Sequence, residues 1–354
     1  MKEIRNIVVI QTAFIGDAIL TLPLIQAARR VFPSSKVDFV VVPRSKELFS
    51  NHPDIREAIG YDKRGEDRGL RGLFRMARQL QSHSYDLALI LHRSLRSALL
   101  AFLSGVSVRI GFDRSAGRFL MTGTVRYRAD VHEIDRNLSL LNSLIQEPAK
   151  RDPPRLYPSD ADRGRVDRLL VELEIGHSDK LVAIAPGTIW NTKRWHKERF
   201  ASLAVNLEEA GWEVALVGGV DDKVLCNEIR RLTNSSHVYN TSGALTLLQS
   251  AELIRRCHVL ICNDSAPMHL ATAVGTPVVA IFGATLPAFG FGPTGPSDVV
   301  VETEGLKCRP CSIHCGEKCP IKTFDCMCKI THDRVFRVAR DILLKSPARQ
   351  DSGR

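Results

Sequence analysis

Short runs of β-branched residues alternate with helically spaced apolar residues along this chain, and the scheme appears twice around a proline-rich stretch. In the first half, 6–11, 37–42, 87–91 and 108–112 read as strands, while 18–31 and 70–82 carry apolar residues at helical intervals. In the second half, 181–185, 213–217, 259–262 and 277–282 read as strands. The segments 198–209, 223–231, 245–256 and 266–274 read as helices, with a last helix over 332–344. Strands joined by crossover helices predict parallel sheets covered on both faces. The stretch Arg151-Asp152-Pro153-Pro154-Arg155-Leu156-Tyr157-Pro158 holds too many prolines for a regular element. The expected layout is an α/β chain of two Rossmann-like domains whose parallel sheets face across a cleft. The first domain covers 1–150, a linker 151–160, and the second domain 161–331 with a Cys-rich insert at 305–328. A helix and a frayed tail complete the chain over 332–354.

At 354 residues, two domains are also what length alone suggests. The formal net charge of +10 points to anionic partners. Between Asp62 and Arg128 there are 13 Lys and Arg against 5 Asp and Glu, so most of this excess sits in the first half. Nucleic acid is the weaker reading, because no recognition motif accompanies the charge and only 6% of residues are aromatic. A phosphorylated substrate or an anionic membrane surface fits better. No apolar run approaches the ~20 residues needed to span a bilayer, so membrane contact is expected to be peripheral. The N-terminus runs directly into a strand and does not resemble a signal peptide.

Three short segments carry the chemistry. In Phe14-Ile15-Gly16-Asp17, a carboxylate stands just past a strand end, where ligands bind in such sheets. An ordinary helix start explains an Asp there equally well. Gly16 would let the backbone approach a ligand closely, and Asp17 could take a proton from a hydroxyl. The turn lacks the further glycines of a dinucleotide fingerprint, which argues against a dehydrogenase.

In Pro186-Gly187-Thr188-Ile189-Trp190-Asn191-Thr192-Lys193-Arg194-Trp195, Thr188 and Lys193 can donate to phosphate oxygens, and the two tryptophans suggest a shaped pocket. Asn263-Asp264-Ser265-Ala266-Pro267-Met268-His269 follows a buried strand and opens an apolar helix. Free N–H groups at that helix start form an anion site, to which Ser265 adds a hydroxyl. Asp264 would cap the helix or accept from a sugar hydroxyl. His269 reads as a buried structural histidine. No Asp-x-Asp pair stands beside a strand, so metal-independent chemistry is expected, with no cofactor required for catalysis.

Six cysteines lie between Cys308 and Cys328, at spacings that suit thiolate coordination of a structural zinc or iron. Cys308, Cys311, Cys319 and Cys326 are the expected ligands, with reduced thiols in a compact loop as the alternative.

Together these segments, with His92-Arg93-Ser94-Leu95-Arg96-Ser97-Ala98 and Arg109-Ile110-Gly111-Phe112, resemble glycosyltransferase family 9, the lipopolysaccharide heptosyltransferases, over nearly the whole chain. The similarity is greatest to the heptosyltransferase II branch. The resemblance implies a GT-B fold with the acceptor held mainly by the first domain. It also implies inverting transfer of L-glycero-D-manno-heptose from ADP-heptose to the phosphorylated inner core of lipopolysaccharide. Asp17 then matches the catalytic base and Lys193 the diphosphate contact. Gly16, Thr188, Lys193, Asp264, Ser265, Ala266 and His269 fall to the donor side. Where family members often carry Gly after the Asp-Ser/Thr pair, this chain has Ala266-Pro267.

The basic arc of Arg93, Arg96, Arg114 and Arg118 would meet the acceptor and the membrane. The expectation is a cytoplasmic monomer, peripheral at the inner face of the inner membrane, without a nucleic-acid partner. Rival readings are heptosyltransferase I or III, another nucleotide-sugar transferase, a nucleotide-sugar epimerase, and a basic nucleic-acid-binding module.

Overall fold

A computed structural model describes residues 3–176, 180–312 and 315–345. The tail expected beyond residue 345 lies outside the described residues. Contacts divide the chain into two compact units, Met1–Tyr157 and Pro158–Arg354.

The first unit runs β1 (Asn6–Ile10), α1 (Ile15–Ile19), α2 (Leu22–Val31), β2 (Lys36–Val41) and β3 (Glu57–Gly60). It continues with α3 (Gly69–Gln81), β4 (Leu87–Ile90), α4 (Leu95–Leu103), β5 (Val108–Phe112), β6 (Gly123–Val125) and α5 (Glu133–Asn142). Its six strands lie in the order β3-β2-β1-β4-β5-β6, all parallel. Ile7 to Ile10 are fully buried, as a strand with helices on both faces requires. On α3, Leu73, Met76, Ala77 and Leu80 face this core while Arg71, Arg75 and Arg78 stay exposed. The single helix expected over 18–31 is instead two. Pro23 has no N–H for the Ile19 carbonyl, so the chain breaks at Leu20–Thr21 and starts again.

The second unit runs α6 (Asp160–Glu172), β7 (Leu181–Ala185), α7 (Lys197–Glu209), β8 (Glu213–Leu216), α8 (Lys223–Thr233) and β9 (Val238–Asn240). There follow α9 (Leu247–Arg256), β10 (Leu260–Asn263), α10 (Ala266–Val274), β11 (Val278–Phe282), β12 (Val299–Glu302), α11 (Asp325–Cys328) and α12 (His332–Lys345). The strand order is β12-β11-β10-β7-β8-β9, again all parallel. In each unit the connections reverse direction beside the first strand, between β1 and β4 and between β7 and β10. Crevices at the carboxyl ends of such strand pairs are where ligands bind. Every segment with expected chemistry, apart from the cysteines, begins near one of these strand ends.

Candidate active site

In the first unit, the loops leaving β1 and β4 bring their polar groups together. Thr12 Oγ1 lies 3.2 Å from His92 Nδ1, which is also 3.0 Å from both the Ser94 and the Ser97 hydroxyls. Lys63, arriving from the loop after β3, donates to the Thr12 carbonyl at 2.7 Å and to its hydroxyl at 3.3 Å. Burial, and then the nearby Lys63 and Arg93 cations, push His92 down to about 4, so its ring is neutral at physiological pH.

Asp17 is the third residue of α1. Its Oδ2 accepts from the Phe14 N–H at 3.2 Å, which closes the helix start. The carboxylate is half-buried. Gly16 lies inside the same helical turn, where its carbonyl accepts from the Leu20 N–H at 2.9 Å.

The four arginines of the basic arc divide by role. Arg93 is exposed, with its guanidinium 4.2 Å above the Tyr127 ring. Arg114 and Arg118 are exposed. Arg96 is engaged within the protein. It donates to the Tyr61 hydroxyl and the Asp67 carbonyl, and to the Gly69 carbonyl at 2.8 Å, so it braces the 61–69 loop that carries Lys63.

In the second unit, the loops after β7 and β10 are joined by three bonds. Asn263 Nδ2 donates to the Pro186 carbonyl at 2.8 Å, and the Trp195 N–H donates to Asn263 Oδ1 at 3.0 Å. Lys193 Nζ meets Asp264 Oδ2 at 2.7 Å, and that oxygen also accepts from Thr285 Oγ1 at 2.7 Å. Of the two roles expected for Asp264, capping α10 is not the one it takes. Ser265 occupies the N-cap position, and Asp264 is the counter-charge of Lys193.

The Ser265 hydroxyl does not cap α10; it donates to the Asn263 carbonyl at 3.4 Å. The N–H of Ala266 stands at this helix start, while Pro267 contributes none. Thr188 donates to the Trp190 carbonyl at 2.6 Å, and Arg194 donates to the Thr188 carbonyl at 2.7 Å, folding the loop on itself. Trp195 does not line a pocket. It is 1% exposed and packs edge-on against Phe200 in the core. His269 is buried in the first turns of α10.

Among the described residues, no group of three or more His, Cys, Asp or Glu side chains is placed to hold a metal ion. The expected ligand set of Cys308, Cys311, Cys319 and Cys326 is thus without support, although these thiols are close enough to act on one another. Burial, and then the thiols of Cys311, Cys319 and Cys308, push Cys326 up to about 11. Cys326 belongs to the buried cluster that holds Met327 and Ile330, and Cys311 packs against the same cluster.

The insert instead grips the β7 loop. Thr192 donates from N and Oγ1 to the Gly316 carbonyl at 3.1 and 2.6 Å, and Asn191 donates to the Glu317 carbonyl at 3.1 Å. Arg309 donates to the carbonyls of Gly283, Thr285 and Thr303. Sequence reasoning missed Lys63, Thr285 and Arg309, each of which stands in a stretch without periodicity. The Asn263 side chain that ties the two loops was missed as well.

Two Rossmann-like units of this strand order make up a GT-B fold, the scaffold of one large class of glycosyltransferases. The model of Glycosyltransferase family 9 (heptosyltransferase) matches residues 73–320, well over half of the chain. A lipooligosaccharide heptosyltransferase 2 from Haemophilus ducreyi is 26% identical over 302 residues, covering 80% of this chain and 85% of its own. A lipopolysaccharide heptosyltransferase 3 from Escherichia coli is 29% identical over 281 residues, covering 77% and 82%. The crystal structure of a family 9 glycosyl transferase from Veillonella parvula superposes with a TM-score of 0.88 at 25% identity, covering 97% of this chain and 98% of that one. The chain belongs to glycosyltransferase family 9, the heptosyltransferases.

Proposed function

We propose that this glycosyltransferase moves L-glycero-D-manno-heptose from ADP-heptose to a phosphorylated inner-core sugar of lipopolysaccharide, with inversion and without a catalytic metal. The observation that carries the donor half is Lys193 held against Asp264 at the start of α10, since a mostly buried cation beside the Ala266 N–H at a helix start suits a departing diphosphate. Ser265 and Ala266 stand at the same helix start, Thr188 lies in the loop that carries Lys193, and His269 is buried in the first turns of the helix. In the acceptor half, Asp17 takes the proton of the attacking hydroxyl. That oxygen forms the new bond to the anomeric carbon, and the bond to the β-phosphate oxygen breaks with its electron pair leaving on ADP. Lys193 compensates the charge that gathers there. Arg93, Arg114 and Arg118 attract the phosphorylated acceptor and an anionic membrane surface, while Arg96 keeps the Lys63 loop in place.

No helix among the described residues is long and apolar enough to cross a membrane, which is compatible with a peripheral enzyme at the cytoplasmic face of the inner membrane. Similarity to relatives named both heptosyltransferase 2 and heptosyltransferase 3 makes transfer to a longer core the rival reading. Acceptors truncated at successive inner-core sugars separate the two. Transfer to the acceptor bearing a single heptose is expected, and transfer only to longer cores would move the assignment. Asp17→Asn should lower kcat by roughly 10²–10⁴-fold while ADP affinity stays within a few-fold, as for the loss of a general base. Wild-type turnover by that variant would remove Asp17 from the mechanism.

A further inference from the structure

Beside α1 lies a buried charged group that the transfer reaction, as described so far, does not use. Glu133 opens α5 and is 7% exposed, and it pairs with Arg136, which is 2% exposed, one helical turn later. Arg136 in turn donates to the carbonyls of Arg128 at 2.7 Å and Val131 at 2.9 Å, and its guanidinium lies 4.7 Å from the centre of the Tyr127 ring. The same helix fixes α1 from the side, because Asn137 Nδ2 donates to the carbonyl of Leu20, the residue that ends α1, at 3.2 Å. Replacing a buried ion pair by apolar residues is often neutral or stabilising, so stability alone gives little reason for a carboxylate here.

We propose that Glu133 is a positioning residue for the transfer reaction, whose carboxylate, anchored by Arg136 beside α1, makes Asp17 a stronger base. The inference rests on the reading of Asp17 as the base. The charged groups that act on Glu133 are Arg136 of its own helix, Asp17 of α1 and Arg93 after β4. Burial pushes the Glu133 carboxyl up to about 7; Arg136 and Arg93 oppose the rise, and Asp17 adds to it. Repulsion between two carboxylates is mutual, so an ionised Glu133 makes proton uptake by Asp17 more favourable. A base of higher proton affinity works more efficiently provided it remains ionised. The reaction should therefore run at one rate while Glu133 is protonated and speed up near pH 7 as Glu133 ionises.

The test is the pH dependence of kcat/KM for the acceptor at saturating ADP-heptose, from about pH 4.5 to 9. Wild-type protein is expected to show a rise near pH 7 above a lower plateau. Glu133→Gln should keep the low-pH plateau, lose the rise near 7, and fall to roughly one-third of wild-type rate at pH 8, with the KM for ADP-heptose unchanged. A purely structural Glu133 would depress the rate by one factor at every pH, and that result overturns the proposal. So does a wild-type profile without the rise near pH 7, which decides the matter even if the Gln variant does not fold. Asp17→Asn, run alongside, separates the two claims. Full activity in that variant sinks the base reading, whereas its inactivity together with an unaltered Glu133→Gln profile sinks only the present proposal.

Discussion

Lys193 and Asp264 meet at 2.7 Å with both side chains largely buried, and Thr285 donates to the same carboxylate oxygen. In the free protein the cation is already neutralised, so a diphosphate arriving at α10 competes with Asp264 for it. Asp264→Asn should leave a buried Lys193 short of its partner and lower the Tm. ADP should then raise the Tm of the variant by more than it raises that of wild type, because the ligand supplies the missing counter-charge. An equal or smaller increment, read by differential scanning fluorimetry, would mean that the diphosphate does not reach Lys193. Lys193→Ala should cost on the order of 10²–10³ in kcat, as for other lost donors to a developing charge, and should raise the donor KM as well. Steady-state kinetics with ADP-heptose checks both.

His52 makes a separate prediction at this scale. It is 3% exposed, its Nδ1 accepts from the Asp54 N–H at 3.1 Å, and burial pushes it down to about 4 from an ordinary 6.5. Between those values the unfolded chain binds a proton that the folded protein does not, so stability rises with pH from about 4 to about 6.5. His52→Asn should flatten that slope in urea titrations. A slope as steep as that of wild type would show that other groups govern the acid loss.

Among the elements, the insert between β12 and α12 has the most direct bearing on the donor loop. Thr192 and Asn191 bond to the backbone of Gly316 and Glu317, and the Trp195 indole donates to the Ile330 carbonyl at 3.0 Å. The position of Lys193 thus depends on a segment that is remote in sequence. Thr192→Val preserves shape and removes the Oγ1 bonds. It should raise the donor KM several-fold and leave the acceptor KM unchanged; a change confined to the acceptor would separate the insert from the donor loop.

Elements of this unit and its counterpart were unequally legible in the sequence. Central strands such as Leu181–Ala185 are unbroken apolar runs buried on both faces, and α10 was readable to the residue because Ser265, Pro267 and Gly275 punctuate it. The four unread strands, β3, β6, β9 and β12, are the four sheet edges, each only three or four residues long and part-exposed. A period of two cannot show itself over so few residues. Helix α5 escaped notice because Glu133, Arg136 and Asn137 are polar residues on its buried face, which breaks the apolar pattern that marks a helix. The loops of the site were found from their strand ends. Their partners Lys63, Thr285 and Arg309 were not, since long-range side-chain bonds leave no local spacing.

At the scale of the whole molecule, charge is the property that no single site explains. The chain carries a net +10, and 13 of its 49 Lys and Arg lie between residues 62 and 128, in the first unit. Several are bound internally: Arg75 to Asp67, Arg96 to the 61–69 loop, and Arg109 to the Leu120 carbonyl. Arg93, Arg114 and Arg118 are among those that remain exposed and contribute to the field that reaches into solvent. Such a field acts on encounter with an anionic acceptor more than on the chemical step, and it decays over a Debye length that shrinks from about 10 Å at 0.1 M salt to about 3 Å at 1 M. Raising NaCl from 50 to 500 mM should therefore lower kcat/KM for a phosphorylated acceptor on the order of tenfold and leave kcat nearly constant. The double variant Arg114→Gln/Arg118→Gln should show a shallower salt dependence and a lower kcat/KM at 50 mM, converging on wild type at high salt. Parallel salt curves for the two proteins would show that these arginines do not steer the acceptor. A dephosphorylated acceptor that responds to salt as strongly as the phosphorylated one would move the electrostatic contact from the acceptor to the donor.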